Sequence, residues 1–230
     1  MKHYDSIPRI QDDGTLKGEI VWGFNKLDGQ NFCATYKVHK NFWGPYGSRT
    51  VTVDEHSDSE LANAVQYFKT HKYDEKLTKL VKDNWKKGEV FQGIEEITFF
   101  FEWLGPNSFA GKHTFWDYIN GDMHLPLIDV FLKKKGYIEP KAYYEIFNDS
   151  PIEIPELIYK GPLTSEIIAD IQNNDWTQEG CKYPTVKEGV VFKRSTLLKG
   201  QRRPSVKVKT KWWIDKLHSM YSEEECKLLE

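Results

Sequence analysis

Two segments rich in β-branched and aromatic residues, Glu19 to Phe24 and Asn31 to His39, flank the short stretch Lys26-Leu27-Asp28-Gly29-Gln30. No other pattern in the chain constrains the fold as tightly. Both segments read as strands, and Asp-Gly is a common turn pair, so a lysine sits at a bend between two strands. Glu96 to Leu104 is apolar and aromatic enough for a buried strand, and Gly189 to Arg194 and Ser205 to Lys209 read as two more. In the last of these, Val206 and Val208 alternate with Lys207 and Lys209, which puts both lysines on one face of the strand, opposite the valines.

Helical spacing predicts the remaining elements. Ser57 or Asp58 is positioned to cap a helix carrying Leu61, Val65 and Phe68. After a break near Lys72-Tyr73, a second helix carries Leu77, Leu80, Val81 and Trp85; both have charged outer faces. Leu125 to Lys135 reads as a helix that stops at Gly136, and Thr164 to Asn173 as a helix with a Thr or Ser cap. Asn41 to Ser48, with two Gly and one Pro, reads as a loop. Strands and helices mix without a regular βαβ alternation, so the predicted class is α+β, with mostly antiparallel sheets flanked by helices.

At 230 residues the chain is long enough for one large domain or two small ones. The formal net charge of -2 offers no global basic excess, so any nucleic-acid site has to be a local patch. Eight Trp fit mainly in the core, although bases also stack on exposed aromatics. Cys33, Cys181 and Cys226 are scattered, with no CxxC and no Cys/His cluster, which points to a reducing compartment and no structural zinc. The N-terminus opens no apolar signal segment, and no window approaches the ~20 apolar residues of a membrane span. The expected location is cytoplasmic, with no membrane partner.

Lys26 is a candidate nucleophile. At an ordinary pKa of ~10.4 almost every lysine is protonated near neutrality, so desolvation or nearby cations must lower that value before the amine can attack. Lys207 and Lys209 would supply such cations and would offset charge on a pentavalent phosphorus. Glu188 is the natural carboxylate for a divalent metal, and Gly29 allows a tight turn and close approach of backbone to phosphate. Each residue also has an ordinary structural explanation. K-x-D-G arises by chance in roughly one chain in twenty of this length and is then a hairpin turn. Glu102 is then a strand-end charge, Lys207 and Lys209 are the polar face of a surface strand, and Phe115 and Trp116 are core. Glu179-Gly180 competes with Glu188-Gly189, but only the latter is followed by a strand-like run, Val190-Val191-Phe192.

Taken in order, Lys26-Leu27-Asp28-Gly29, Phe101-Glu102-Trp103-Leu104-Gly105, Phe115-Trp116-Asp117-Tyr118-Ile119, Glu188-Gly189-Val190-Val191 and Lys207-Val208-Lys209 resemble the nucleotidyltransferase motifs of ATP-dependent polynucleotide ligases and mRNA capping enzymes. The set is most similar to the RNA ligases, over about residues 7 to 213. The resemblance implies a nucleotidyltransferase (ATP-grasp-like) fold and an enzyme that uses ATP with Mg²⁺ or Mn²⁺. It implies that Lys26 carries AMP, that Glu102 binds the ribose, that Trp116 or Phe115 stacks on adenine, and that Glu188 works with the metal. Lys207 and Lys209 are implied at the α-phosphate, and Arg49 at the ribose or at an incoming 5′-phosphate. The implied partner is RNA with 5′-phosphate and 3′-hydroxyl ends. Ile7-Pro8-Arg9-Ile10 and Gln30-Asn31 also look like RNA-ligase sequence. Asn25 precedes the lysine where many RNA ligases have glutamate.

DNA ligases and capping enzymes continue into an OB-fold, and many RNA ligases into a helical domain. Residues 214–230 hold only one or two short helices, so the expectation is a single adenylyltransferase domain over residues 1–230. A partner chain that supplies a missing domain stays open, as do a small DNA ligase, a capping-type enzyme and a non-catalytic RNA-binding protein. By analogy with short stand-alone RNA ligases, a phage source fits.

Overall fold

Ile97, Phe99, Phe100 and Phe101 have no exposed surface, and this run forms the middle of a strand covered on both faces. The computed structural model describes residues 2–57, 59–86, 89–105, 123–196 and 204–229. They divide into two compact units, one of residues 2–5 and Gly29–Ile154, the other of residues 6–28, 155–196 and 204–229.

The first unit is built on an antiparallel sheet of β2 (Gln30–Lys37), β3 (Phe42–Gly47), β4 (Thr52–Val53), β5 (Glu96–Trp103), β6 (Leu127–Leu132) and β7 (Gly136–Tyr137), in the order β4-β3-β2-β5-β6-β7. Helices α1 (Glu60–Thr70), α2 (Tyr73–Asp83) and α3 (Pro140–Phe147) accompany it. Phe68 of α1 packs against Phe32 of β2 and Phe101 of β5, with ring centroids 6.0 and 5.8 Å apart. On the other face Tyr4 meets Phe100 at 4.9 Å. Thr35 and Thr98, both buried in mid-sheet, face each other across β2 and β5 and share a hydrogen bond of 3.3 Å.

Several local expectations change here. Leu125 to Lys135 is not a helix. Leu127 to Leu132 is strand β6, whose register runs from Ile97↔Leu132 to Phe101↔Leu127. A short apolar run has no periodicity that separates a buried helix from a buried strand, and pairing to β5 decides it. Gly136 (φ 95°) does not end a helix but opens β7, and it shares the β6–β7 hairpin with a second positive-φ residue, Lys134 (φ 71°). Asn41 to Ser48 is likewise strand β3 rather than a loop. The pairs Ala34↔Tyr46 and Tyr36↔Trp43 leave Gly44 and Pro45 together opposite Thr35, so the proline falls at a bulge where it displaces no ladder hydrogen bond. The cap of α1 is Ser59, whose hydroxyl accepts from the Leu61 N–H, and Trp85 lies beyond the end of α2. Helix α3 and strand β8 below had no expected counterpart.

The second unit carries a four-stranded antiparallel sheet of β1 (Ile20–Lys26), β8 (Leu157–Pro162), β9 (Gly189–Arg194) and β10 (Ser205–Lys209), in the order β10-β9-β1-β8. With it are helices α4 (Ser165–Gln172), α5 (Lys211–Met220) and α6 (Glu223–Leu229). Thr164 caps α4 by accepting from the Ile167 N–H at 3.3 Å. One sheet face is apolar: Val21, Val190, Phe192, Val206 and Val208 pack with Ile167, Ile168 and Ile171 of α4. Period two therefore sends Lys26, Lys193, Lys207 and Lys209 to the opposite face. Residues 8–10 run parallel along β10, with the Lys207 N–H donating to the Pro8 carbonyl at 2.9 Å and the Ile10 N–H to the Lys207 carbonyl at 3.0 Å. No helix among the described residues is long and apolar enough to cross a membrane.

Gly189 is required by space. A Cβ there would lie 2.1 Å from the Val208 carbonyl oxygen and 2.9 Å from the Lys209 Cα. Gly189→Ala is expected to destabilise the chain by about 1–3 kcal/mol, the usual cost of overpacking, which calorimetry would register as a lower unfolding temperature.

Candidate active site

The cross-strand register Lys26↔Gly189↔Lys209 brings the end of β1, the start of β9 and the end of β10 to one level of the sheet. Glu188, just before Gly189, projects between the two lysines. Lys26 Nζ lies 2.7 Å from Glu188 Oε2 and Lys209 Nζ 3.1 Å from Glu188 Oε1. The side chains of Glu188 and Lys209 are 3% and 5% exposed, that of Lys26 23%. Of the three, only the candidate nucleophile reaches solvent to any extent.

Burial alone would raise the Glu188 pKa, but the Lys26 and Lys209 ammonium groups outweigh it and hold the carboxyl below its ordinary value. Lys209 is pushed down, first by burial and then by Lys26, against the pull of Glu188. Lys207, two residues along the same face, is pushed down to about 8, first by burial and then by the Lys209 and Lys26 cations, with Arg9 adding a smaller repulsion. Cations gathered around one buried carboxylate suit a polyanion, because phosphate oxygens would relieve the repulsion that depresses Lys207.

The loop after β10 fixes this end of the sheet. The Thr210 N–H donates to the Glu188 carbonyl at 2.9 Å, and the Thr210 hydroxyl donates to the Lys187 carbonyl at 2.7 Å. The same hydroxyl accepts from the Trp213 N–H at 3.1 Å, capping α5. Asp28, 5% exposed, accepts from the Trp213 indole N–H at 3.4 Å, and Lys209 Nζ stands 3.6 Å from the centre of the Trp213 ring. Asn25 donates to the Thr185 carbonyl at 2.9 Å, while its side-chain oxygen is buried without a partner among the described residues.

In the other unit, the Gly29 N–H donates to Glu102 Oε1 at 3.1 Å. A Cβ at Gly29 would come within 2.6 Å of the Trp103 carbonyl oxygen, so glycine is needed here for packing on β5. Arg49 is exposed in the turn between β3 and β4. Phe115 and Trp116 lie outside the described residues. Glu179 is exposed in a turn, away from any strand.

Sequence reasoning assigned no role to Trp213, Thr210 or Lys193. The alternation that selects Lys207 and Lys209 also selects Lys193, which is buried with its ammonium 5.3 Å from the Phe24 ring centre. Thr210 carries a recognisable cap signal, Thr three residues before Trp213 at the start of a helix. Nothing local marks Trp213, because its partner Asp28 is 185 positions away.

No cluster of three or more metal-type side chains occurs among the described residues. At a nucleotide site Mg²⁺ is usually held through one or two carboxylates, with substrate phosphates and water completing the shell. Such an ion would need a carboxylate oxygen freed from its ammonium partner, and Glu188 is the carboxylate of the lysine cluster.

The model of the family described as RNA ligase matches residues 19–209. Similar solved structures include a mutant of Naegleria gruberi RNA ligase with ATP and Mn, at 16% identity over 94% of this chain with a TM-score of 0.63. The same Naegleria enzyme with PPi matches at 15% identity over 95% of the chain, again with a TM-score of 0.63. A further mutant, with AMP and Mn, matches at 16% identity over 94% of the chain, TM-score 0.63. These likenesses establish the nucleotidyltransferase-type α+β fold. The chain spans 57%, 58% and 58% of those three chains respectively. No curated protein matches the sequence.

The depressed Lys207 pKa yields a stability prediction. Between about 8 and the ordinary 10.5 the unfolded chain binds the Lys207 proton and the folded chain does not. The cost of the buried charge is thus fully present below pH 8 and is relieved as pH rises toward 10.5. Lys207→Met should raise the unfolding temperature at pH 7, and the gain should shrink steadily between pH 8 and 10.5 when melting is followed across that range.

Proposed function

The chain belongs to the RNA ligase family, and on that premise we propose that it joins RNA ends with ATP through an AMP-bearing Lys26. The observation that carries this reading is the Lys26–Glu188–Lys209 cluster at the aligned ends of β1, β9 and β10. The neutral Lys26 amine attacks the α-phosphorus, the bond to pyrophosphate breaks, and a lysyl phosphoramidate of AMP forms with loss of a proton. The AMP then passes to an RNA 5′-phosphate, and a 3′-hydroxyl attacks that activated phosphate and expels AMP.

Lys26 leaves Glu188 to attack, and Lys207 and Lys209 hold the α-phosphate in line. Positioning and charge stabilisation account for most of the rate in such transfers. A bound Mg²⁺ or Mn²⁺ would neutralise phosphate charge, with Glu188 as its carboxylate. Asp28 and Glu102 position the ribose, Trp116 or Phe115 stacks on adenine, and Arg49 meets the ribose or the incoming 5′-phosphate. The Naegleria structures with ATP, AMP and Mn support the choice of ATP and a divalent metal.

With ATP labelled on the α-phosphate and Mg²⁺ or Mn²⁺, the wild type is expected to hold label through denaturing electrophoresis and Lys26→Ala to hold none. Lys209→Ala should slow labelling by about 10²–10³-fold, the usual effect of losing one group that stabilises developing charge. Label from GTP in place of ATP would point to capping chemistry. Sealing of a DNA nick but not an RNA nick would point to a DNA ligase, and RNA binding with no label to a non-catalytic protein.

A further inference from the structure

Trp213 belongs to none of the motifs that carry the proposed reaction, yet it touches two of them. Its indole N–H reaches Asp28 Oδ2 at 3.4 Å, and its ring lies beneath Lys209 Nζ at 3.6 Å. The residue is 1% exposed, and its backbone N–H is fixed by the Thr210 hydroxyl. Thr210 is tied in turn to the carbonyls of Lys187 and Glu188. One aromatic side chain on the first turn of α5 thus links the carboxylate two residues after the candidate nucleophile to the lysine that pairs with Glu188.

The geometry of the two partners is specific to an indole. A carboxylate at Nε1 and an ammonium over the π-face use the two polar features of tryptophan at once, the N–H edge and the negative ring face. Phenylalanine keeps the face and loses the donor. Leucine loses both.

We propose that Trp213 is a positioning residue for lysyl-AMP formation, orienting Asp28 through its indole N–H and seating Lys209 on its ring face. The proposal rests on the adenylylation reading above. Trp213→Phe is expected to slow single-turnover lysyl-AMP formation roughly three- to tenfold, in keeping with the loss of one long hydrogen bond to a charged group. Trp213→Leu is expected to slow it at least tenfold further. Because the indole N–H acts through Asp28, the double variant Asp28→Asn/Trp213→Phe should be no slower than Asp28→Asn alone. In the Lys26→Ala background, where no adduct forms, the dissociation constant for ATP should change less than about threefold on adding Trp213→Phe, since the effect lies in alignment.

A second readout is independent of turnover. In the ¹⁵N spectrum of the eight tryptophan indoles, the resonance that disappears in Trp213→Phe should shift in Asp28→Asn. Trp213→Phe carries the test if Trp213→Leu does not fold. A wild-type rate per folded molecule in Trp213→Phe, additivity with Asp28→Asn, or an indole resonance indifferent to Asp28→Asn would each overturn the proposal. Absence of label on the wild type would instead sink the adenylylation reading, and this proposal with it.

Discussion

Glu188 is a buried carboxylate that the fold tolerates only because two ammonium groups meet it. Taking an ionised carboxylate out of water costs several kcal/mol, and an ion pair repays this only with good geometry on both sides. Here each carboxylate oxygen has its own lysine, at 2.7 and 3.1 Å. The dependence runs both ways. Without Glu188, Lys26, Lys207 and Lys209 would repel one another across neighbouring strands with no carboxylate between them. The cluster is therefore stable as a unit and poorly stable in parts. An entering polyphosphate substitutes one set of negative oxygens for another and need not be accompanied by large desolvation.

The apolar face of the same sheet sets where those charges stand. Val190, Phe192, Val206 and Val208 are committed to the packing with α4, and the pleat then sends Lys193, Lys207 and Lys209 the other way. A slip of one residue in β10 would bury two lysines in an apolar layer and expose two valines, so the hydrophobic core polices the geometry of the charged site. Gly189 and Thr210 complete the arrangement. The first lets β9 approach the Val208 carbonyl, and the second ties the end of β10 to the Lys187 and Glu188 carbonyls.

Much of this was legible in the sequence where the signal is local. The bounds of β9 and β10, the Thr164 cap and the shared face of Lys207 and Lys209 all follow from residues a few positions apart. Leu125 to Lys135 was not legible as a strand, because an apolar run flanked by a glycine satisfies helix and strand alike until β5 is seen beside it. Asn41 to Ser48 hides a strand because Gly44-Pro45 mimics a loop, and only the partner strand reveals a bulge. The site divides along the same line. The motif order selects Lys26 and Glu188, whereas the seat of Trp213 between Asp28 and Lys209 depends on tertiary neighbours that no local pattern encodes. In the sequence Gly29 suggests space for a phosphate, and its contacts with Trp103 and Glu102 give it a packing reason as well.

The sheet that carries the lysines is assembled from opposite ends of the chain. Lys26 and Glu188 are 162 positions apart, whereas Gly29–Ile154, the bulk of the other unit, is one continuous segment. Loop-closure entropy makes such distant pairings slow relative to local ones. On a ribosome, Gly29–Ile154 can begin to organise while β9 and β10 are still unmade, and β1 must wait with one of its edges unpaired. The charged cluster therefore comes into being only when nearly the whole chain has emerged, and an incomplete translation product would display Lys26 without the carboxylate that holds it.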